Sequence, residues 1–546
     1  MGKISCPVAL LVSLTLTLSV SQGVSQPYNG KRPKLVVGLV VDQMRWDFLY
    51  RYYDRYTDAG FKRLIQQGFS AENTMIPYSQ TVTAAGHACV YTGSIPAVNG
   101  IMGNEWYDKQ LRKEVYCVED ESVKIIGGVP ASEPMSPRNL WTTTISDELR
   151  LATNFRSKVI GVAIKDRGSI LPAGHTGTAY WYEGSNGNWV SSTWYMNELP
   201  SWVQQFNDRR WVDSLYKNDW NTLYPISTYV QSDADNVSYE GRSAGDTTPT
   251  FPHRLRHLIG KNYGAIRSTP MGNTLTLSFA KEALKAEQLG KDGITDLLAV
   301  SLSSPDYIGH QYGPNSIEIE DNYLRLDREL AEFFAFLDKE VGKGEYLFFI
   351  TADHGVAHVP AFLKKNKMDV KTVPSNISEI NNKVEAKFGV RNAVISSANY
   401  HLYLNDLAID TLDKDKEEIE SFIISELVKA PHIAGAFSYN ELDNAVLPAL
   451  LKEKFVSGYN QKRSGDVQLI VKSGYFYGGA TGTTHGSWYP YDAHIPLVFM
   501  GWGVTPGRTN RTTSMSDIAP TLAAMLRIQM PSGTTGTPIT EMLPVR

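Results

Sequence analysis

Six acidic or imidazole side chains, in four separate segments, have the chemistry of metal ligands. The segments are the apolar run LVVGLVVD, the stretch SSPDYIGH, the stretch TADHG and the Gly-rich stretch TGTTHGSWYP. Aspartate oxygens and imidazole nitrogens are natural ligands of Zn²⁺, so the sequence predicts a zinc site. The six candidates are Asp42, Asp306, His310, Asp353, His354 and His485.

The elements that carry these side chains explain how they could meet. Near-continuous apolar runs predict four buried parallel strands, at residues 35–41, 294–302, 346–351 and 495–500. Amphipathic helical patterns, such as IEIEDNYLRLDRELAEFFAFLDKEV from Ile317, alternate with them. We therefore predict an α/β fold with a central, mostly parallel sheet flanked by helices. Such proteins bind ligands at the carboxyl ends of their strands. A single Asp there is more often a helix cap, but four such segments at one edge favour a ligand site.

Spacing within SSPDYIGH adds a local argument. His310 lies four residues after Asp306, so one helical turn would place both side chains on one face. The two residues would then approach the same ion.

A candidate nucleophile lies in SQTVTAAGHACVYTG, on a predicted loop that turns into a helix. Nothing in the hydrophobic pattern requires a hydroxyl at Thr83. A threonine at such a position is often only the residue that caps the helix, and the sequence leaves both roles open. Helix N-terminal amides at this place would favour an arriving anion.

Together these motifs resemble the alkaline phosphatase superfamily of metalloenzymes, over about residues 35–525. The matching segments are VVDQMRWD, TVTAAGHACVYTGSIPAVNGIMGNEW, SSPDYIGHQYGP, TADHG, THGSWYPYDAHIPLVFMGWG and SDIAPTLAAML. The resemblance implies two Zn²⁺ ions per chain with a nucleophile between them, whose hydroxyl pKa zinc would lower. One ion would be held by Asp306, His310 and His485, and the other by Asp42, Asp353, His354 and Thr83 Oγ.

The segment GVAIKDRGSI decides which reaction of the superfamily we predict. Lys165 and Arg167 follow an apolar stretch predicted as a strand end, and residues two apart on an extended segment point the same way. A phosphate monoester carries up to two negative charges and a diester only one, so two cations favour a monoester. The pattern resembles Thr-nucleophile alkaline phosphatases, which implies that Asn104 donates its amide to a phosphoryl oxygen. An exposed KDR loop without a catalytic role is the alternative.

We therefore predict a phosphate monoesterase that hydrolyses small-molecule phosphomonoesters through a phosphothreonine. The near alternative is a nucleotide pyrophosphatase or phosphodiesterase of the same superfamily, and the distant one is a secreted zinc-containing protein without turnover. Sulfatases of the superfamily need a Cys or Ser in a C/S-x-P-x-R context, and TVTAAGH lacks it. The phosphoglycerate mutases of the superfamily use Ser and are cytosolic, which does not suit the N-terminus described next.

The N-terminus predicts the compartment. Residues 1–25 combine Lys3, an apolar run and small residues, the pattern of a cleavable secretory signal, so we expect a periplasmic or secreted protein. The alternative is a retained anchor, but the run is short for a membrane span, and we expect none in the mature chain. An oxidising compartment permits Cys89 and Cys117 to pair, and we predict that disulfide, with two buried thiols as the alternative.

Composition sets the remaining limits. The 546 residues are 42% hydrophobic and 20% charged, with a net charge of −4, which gives no support to binding of a nucleic-acid polymer.

We expect a monomer in which residues 26–546 form one alkaline phosphatase-like catalytic domain. Two insertions are predicted in it: an aromatic-rich segment outside the core at about 172–265, and a small α+β subdomain at about 365–475.

Overall fold

The structure is a computed structural model that describes residues 2, 31–368, 370, 372–373 and 377–543. The predicted secretory signal therefore lies outside the described residues, apart from Gly2. Among the residues that are described, no helix is both long enough and apolar enough to cross a membrane.

The secondary structure alternates between strands and helices along most of the described chain. The strands are β1 Leu35–Val41, β2 Gly68–Met75, β3 Glu105–Asp108, β4 Lys113–Tyr116, β5 Ile125–Ile126, β6 Val159–Ala163, β7 Thr178–Glu183, β8 Asn188–Ser192, β9 Asp296–Leu302, β10 Tyr346–Thr351, β11 Thr372–Val373, β12 Val394–Ala398, β13 His401–Leu404, β14 Ile433–Ser438, β15 Val467–Val471, β16 Phe476–Tyr477, β17 His494–Ile495, β18 Leu497–Gly501 and β19 Gly507–Ser514. The α-helices are α1 Phe48–Arg51, α2 Phe61–Gln67, α3 Thr83–Thr92, α4 Pro96–Asn99, α5 Ile145–Ala152, α6 Asp166–Ala173, α7 Ser201–Asp208, α8 Trp211–Leu215, α9 Met271–Ala286, α10 Ser304–Tyr312, α11 Ile317–Leu337, α12 Pro360–Lys365, α13 Ile377–Phe388, α14 Asp406–Thr411, α15 Lys416–Leu427, α16 Ala449–Ser457, α17 Pro490–Ala493 and α18 Ile518–Leu526.

A large central sheet organises the main body. Its strand order is β17-β2-β18-β10-β1-β9-β6-β7-β8-β5, with β19 paired to β2. The five neighbours β10, β1, β9, β6 and β7 run parallel. Strands β1, β9 and β10 are buried along their whole length, as their continuous apolar sequences predict. The predicted α/β fold with a mostly parallel central sheet is confirmed.

The parallel strands end nearly level with one another. Val40 of β1 pairs with Thr351 of β10, and Val41 pairs with Leu302 of β9. Helices α6 and α9 both pack on β6 and β9, and α6 also packs against α3. Residues that follow these strands, and those at the start of α3 and α6, are therefore delivered to one edge of the sheet.

The apolar run at residues 495–500 differs from the prediction of a parallel strand. Strand β18 pairs antiparallel with β10, with Leu497 opposite Thr351. Strand β18 therefore begins beside the carboxyl end of β10, so it must run in the direction opposite to β10. A run of apolar residues reports burial on both faces and carries no information about strand direction.

The aromatic-rich segment 172–265 is not wholly outside the core. Its strands β7 and β8 extend the central sheet. Trp189 of β8 is buried and stacks on Phe279 of α9, with ring centroids 4.2 Å apart. These aromatic side chains lie where helix α9 covers the sheet. They belong to the hydrophobic core, whereas the sequence predicted that this segment lies outside it.

A second, smaller α+β unit lies within residues 377–471. Strands β12, β13, β15 and β14 form an antiparallel sheet in that order. Helices α13 and α15 pack on each other and on this sheet. The unit has its own hydrophobic cluster, separate from the core of the main sheet.

The predicted disulfide is wrong, because Cys89 and Cys117 are both buried and are not bonded to each other or to any other described residue. Helix α3 turns Ala84 and Ala88 toward the hydrophobic cluster that contains Cys117. The same helix turns Ala85 and Cys89 toward the core of the central sheet. The two thiols therefore lie in different clusters despite their short separation in sequence.

Candidate active site

Polar and charged side chains gather at the carboxyl edge of the parallel strands. Asp42 follows β1, Asp306 lies in the first turn of α10 after β9, and Asp353 follows β10. Lys165 follows β6 by two residues, at the start of α6. All four are at least 95% buried. Charged groups are seldom buried to this degree unless they are paired or bind an ion, so this edge is the candidate site.

Two groups of three side chains could each hold a metal ion. In each group the potential ligand atoms lie within 4.8 Å of one another, and His354 belongs to both. The other members are Asp306 and His485 in one group, and Asp42 and Asp353 in the other. The structure thus brings together five of the six predicted ligands directly.

The sixth predicted ligand, His310, joins the site through Asp306. Its Nε2 lies 3.1 Å from Asp306 Oδ1, one turn away on α10, as the four-residue spacing predicts. Its ring lies beside the His485 ring, with centroids 5.0 Å apart. The rings of His354 and His485 are stacked, with centroids 3.5 Å apart.

All three imidazoles are oriented by the backbone in the same way. Nδ1 of His310 lies 2.8 Å from the Thr483 carbonyl oxygen, and Nδ1 of His485 lies 2.7 Å from that of Thr81. Nδ1 of His354 is 2.9 Å from the Gly355 carbonyl oxygen. A carbonyl can only accept, so each Nδ1 carries a proton, and each Nε2 is the ring nitrogen that lies beside the carboxylates of the cluster. This arrangement is typical of metal-binding histidines.

Several polar atoms inside the cluster are buried and have no hydrogen-bond partner among the described residues. They are Asp42 Oδ1, Asp353 Oδ2 and His354 Nε2. Such atoms are rare in native proteins and call for an explanation. Cations between them would satisfy all three, and a mixed set of imidazole nitrogens and carboxylate oxygens suits zinc. The residues present therefore fit the predicted metal.

Burial and neighbouring charges shift the pKa values of the cluster in opposite directions. Burial lowers the pKa of His354 to about 3, which keeps its imidazole neutral and able to bind a metal. Burial and the charge of Asp353 raise the pKa of Asp42 well above its usual value, although Lys165 opposes this. Burial also disfavours ionisation of Asp306, but His310 and Lys165 outweigh it and hold the pKa of that carboxyl well below its usual range.

Thr83 is the first residue of α3, and Val82 is the N-cap, which makes no side-chain capping hydrogen bond. The alternative role of Thr83 as an ordinary helix cap is therefore not observed. Its side chain is buried, and its Oγ1 accepts a hydrogen bond of 3.2 Å from Lys165 Nζ. The hydroxyl is thus directed into the site and not used to hold the helix.

Lys165 connects the candidate nucleophile to both ligand groups. Its ammonium donates to Asp42 Oδ2 at 2.7 Å and to Asp306 Oδ2 at 2.6 Å, as well as to Thr83. These two carboxylates raise its pKa against the effect of burial, so the ammonium stays charged. A buried cation at this point can contact the oxygens of an anionic ligand beside Thr83.

Arg167 departs from the predicted extended geometry. Lys165 is the N-cap of α6, and Arg167 lies inside the first turn of that helix. The guanidinium is fixed by Tyr116, whose hydroxyl accepts from Nη1 at 2.8 Å and donates to Asp166 at 2.6 Å. Its Nε is buried and has no hydrogen-bond partner in the part of the chain that the structure describes. Tyr116 therefore fixes the position of the guanidinium, and the remaining N–H groups of Arg167 can donate to a ligand.

Asn104 is oriented by the start of α3. Its Oδ1 accepts from the backbone N–H of Ala84, the residue after Thr83, at 3.0 Å. The hydrogen bond uses the acceptor of the amide, so the Nδ2 donor is the part left for a ligand.

Sequence reasoning missed four residues that support the site. Gln43 Nε2 donates to Asp306 at 2.7 Å, and its backbone N–H donates to Asp353 at 3.1 Å. His87 connects the Thr83 carbonyl oxygen and the Ser301 hydroxyl, each at 2.8 Å. The others are Tyr116, which holds Arg167, and Tyr307, whose ring centroid lies 5.0 Å from Lys165 Nζ. Gln43 and Tyr307 directly follow predicted ligands, which was a usable signal, whereas Tyr116 is fifty residues from its partner Asp166.

Several known proteins are similar to this chain over most of its length. The family model described as type I phosphodiesterase / nucleotide pyrophosphatase matches residues 36–492. Alkaline phosphatase PhoV of Synechococcus elongatus is 52% identical over 523 residues, covering 95% of this chain and 94% of the relative. A Myroides odoratus protein named calcium-transporting ATPase is 53% identical, covering 94% of this chain and 95% of the relative.

A solved structure extends the comparison. Alkaline phosphatase PafA of Elizabethkingia meningoseptica is 49% identical over 520 residues, covering 94% of this chain and 95% of the relative. The crystal structure of wild-type PafA superposes with a TM-score of 0.93, covering 94% of this chain and 99% of that chain. The fold and nearly the whole length of the chain are therefore shared with these proteins.

Proposed function

The chain belongs to the type I phosphodiesterase / nucleotide pyrophosphatase family, and we propose that within it the protein is a phosphate monoesterase with Thr83 as its nucleophile. The resemblance to the alkaline phosphatase superfamily is confirmed by relatives named alkaline phosphatase at about half identity over most of the chain. One observation carries the proposal. The buried Thr83 hydroxyl caps no helix and lies 3.2 Å from an ammonium that also contacts Asp42 and Asp306.

Two zinc ions are the cofactors that we propose. Asp306, His310 and His485 would hold one, and Asp42, Asp353, His354 and Thr83 Oγ the other. The chemistry that zinc supplies when bound is Lewis acidity, which lowers the pKa of a hydroxyl and offsets negative charge on a leaving oxygen. His354 is within reach of both groups, so replacing it would affect both.

The reaction that we propose has two displacement steps at phosphorus. In the first, Thr83 Oγ forms a bond to phosphorus as the bond to the alcohol oxygen breaks, and the alcohol leaves with a proton. In the second, water forms a bond to phosphorus as the Thr83 Oγ bond breaks, which restores the hydroxyl and releases inorganic phosphate. Helix α3 begins at Thr83, so the positive end of its dipole would favour the negative charge of the transferred group.

Three further side chains would hold the phosphoryl oxygens. Lys165 and Arg167 supply two positive charges, and Asn104 supplies an amide donor fixed by Ala84. Phosphoryl transfer depends on positioning and on stabilising charge on the equatorial oxygens, which is what these groups can provide. Arg167 is held by Tyr116, so it would be pre-organised before substrate arrives.

The natural setting follows from the same inference. We propose small-molecule phosphomonoesters as substrates and a monomeric protein in the periplasm or outside the cell, delivered by the signal at residues 1–25. We also propose that residues 26–546 form one catalytic domain, with the α+β unit near 365–475 as an addition to it. ATP is one substrate to test, since the name of the Myroides protein includes ATP hydrolysis.

The test compares a monoester and a diester of phosphate with the same aryl leaving group. We expect the zinc-loaded wild-type protein to have the higher kcat/KM for the monoester, because two cations match its second charge. Higher kcat/KM for the diester would instead favour the phosphodiesterase activity in the family name. Zinc binding without hydrolysis of either ester would favour a binding protein.

A further inference from the structure

A groove of about 540 Å³ opens beside α10, next to the candidate active site. We call it the α10 groove. Its lining includes residues 242–244, several residues between 255 and 269, and Gln311. None of the residues assigned to the reaction above lines it, so its chemistry is a separate question.

Tyr307 joins the groove to the phosphoryl site. This residue follows Asp306 in α10, and Lys165 Nζ lies 5.0 Å from the centroid of its ring. Arg267, which lines the groove, has its guanidinium carbon 4.7 Å from the same centroid. The two cations therefore lie within about 10 Å of each other, on a shared aromatic ring. A small ester could reach from one to the other.

The other wall of the groove is fixed to the end of α10. The Gly241 N–H donates to the Gln311 carbonyl at 2.7 Å, and Gln311 directly follows the predicted ligand His310. Ser243 Oγ and the Tyr312 hydroxyl are hydrogen bonded at 2.6 Å. The Nε2 of Gln311 is buried and has no hydrogen-bond partner in the described part of the chain. The groove therefore begins at the end of α10, directly beside the proposed metal ligands Asp306 and His310.

The charge of the groove is positive. Arg242 and Arg267 are exposed, and neither forms an ion pair with another described residue. Among the described residues that line the groove, Glu183 is the one with an acidic side chain. Both of its oxygens are occupied, one by the Ser132 hydroxyl and the other by the backbone N–H and hydroxyl of Ser185. Two unpaired guanidinium groups therefore remain for a ligand.

We propose that the leaving group of the substrate enters the α10 groove. We further propose that Arg242 and Arg267 favour phosphomonoesters whose leaving group carries a second anionic group, a phosphate or a carboxylate. This inference rests on the proposed monoesterase function. In an in-line displacement the leaving oxygen departs on the side away from the nucleophile, here Thr83. Thr83 is assigned above to the ion of Asp42, Asp353 and His354, whereas the groove begins beside the ligands proposed for the other ion. Guanidinium groups bind carboxylate and phosphate oxygens in a planar fork, so they suit both anions.

The test uses two substrates that differ only in this charge. They are the aryl phosphates of para-hydroxyphenylacetate, which is anionic, and of para-hydroxyphenylacetamide, which is neutral. The two phenols are otherwise alike, so the ratio of their kcat/KM values isolates the second anion. With the zinc-loaded protein at low salt, we expect a preference of about five- to tenfold for the anionic substrate. The preference should shrink as NaCl is added, because exposed charges are screened.

Variants locate the source of the preference. Arg242→Gln combined with Arg267→Gln should bring the ratio to within about twofold of one, while hydrolysis of the neutral substrate persists. Arg267→Lys keeps the charge beside Tyr307 and should keep part of the preference. The matched control is Arg254→Gln, which removes an exposed cation of the same segment that does not line the groove. That control should leave the ratio unchanged.

Three outcomes would overturn the inference and leave the monoesterase proposal standing. These are equal kcat/KM values for the two substrates, a preference that survives in the double variant, and a preference lost equally in the Arg254→Gln control. Failure of the monoesterase proposal looks different, since neither aryl phosphate would then be hydrolysed.

Discussion

Removing the hydroxyl of Tyr116 should weaken recognition of the monoester without touching any group that contacts it. The hydroxyl accepts from Arg167 Nη1 at 2.8 Å and donates to Asp166 at 2.6 Å. A hydrogen bond to a charged group contributes about 1.5 to 3 kcal/mol. Asp166 stays 3.9 Å from the guanidinium and keeps part of the hold on it, so the lower figure applies. We expect Tyr116→Phe to lower kcat/KM for an aryl phosphate monoester by about tenfold.

The assay compares this loss with the loss for the diester that has the same leaving group. We propose that Arg167 binds the charge that only the monoester carries, so the diester should lose less than about threefold. Tyr107→Phe is the matched control, because it removes a hydroxyl from the paired strand β3 that makes no hydrogen bond in the described structure. Zinc content should not change in either variant, and the melting temperature should fall slightly in Tyr116→Phe, which loses two hydrogen bonds, and stay unchanged in Tyr107→Phe. Equal losses for the two esters, or no loss for the monoester, would refute the positioning role of Tyr116.

The remaining predictions concern the nucleophile, the metal ligands and the cysteines. Thr83→Ala should lower monoesterase activity by roughly a thousandfold or more while zinc stays bound, and Thr83→Ser should retain appreciable activity; an alanine variant within tenfold of wild type would exclude Thr83 as nucleophile. His310→Ala and His485→Ala should each lower zinc content and activity together. Chelation should abolish activity, and Zn²⁺ but not Ca²⁺ should restore it; full activity after exhaustive chelation would contradict the metal site. Peptide mapping after denaturation without reductant should find both Cys89 and Cys117 alkylated, whereas a linked pair of peptides would contradict the structure.

The sequence predicted those parts of the fold that burial alone determines. Strands β1 and β10 have the predicted bounds because their sequences are apolar throughout and both faces are covered. Helix α11 begins at Ile317 as its periodic pattern predicts. The direction of β18 was mispredicted because it depends on where the chain enters the sheet, beside Thr351, and that is a property of the assembled fold.

The site was predictable where its residues follow strands or share a helical turn. Asp42, Asp353 and the pair on α10 are of this kind. The hold of Tyr116 on Arg167 was not predictable, because the two residues come together only when hairpin β3–β4 packs near α6. The helical conformation at Arg167 was missed as well, since the sequence DRGS carries no apolar periodicity to signal a helix.

The measurement that tests the central claim most directly is the activity of the double variant Lys165→Ala and Arg167→Ala on the matched monoester and diester. Each charged hydrogen bond lost is worth about ten- to a hundredfold in rate. We therefore predict a fall of at least two orders of magnitude in kcat/KM for the monoester and of less than tenfold for the diester. Asn104→Ala is the control, because the proposal assigns its amide to an oxygen that both esters have, and it should weaken both alike. Equal loss of the two activities in the double variant would contradict the claim that these cations recognise the second charge of a phosphate monoester.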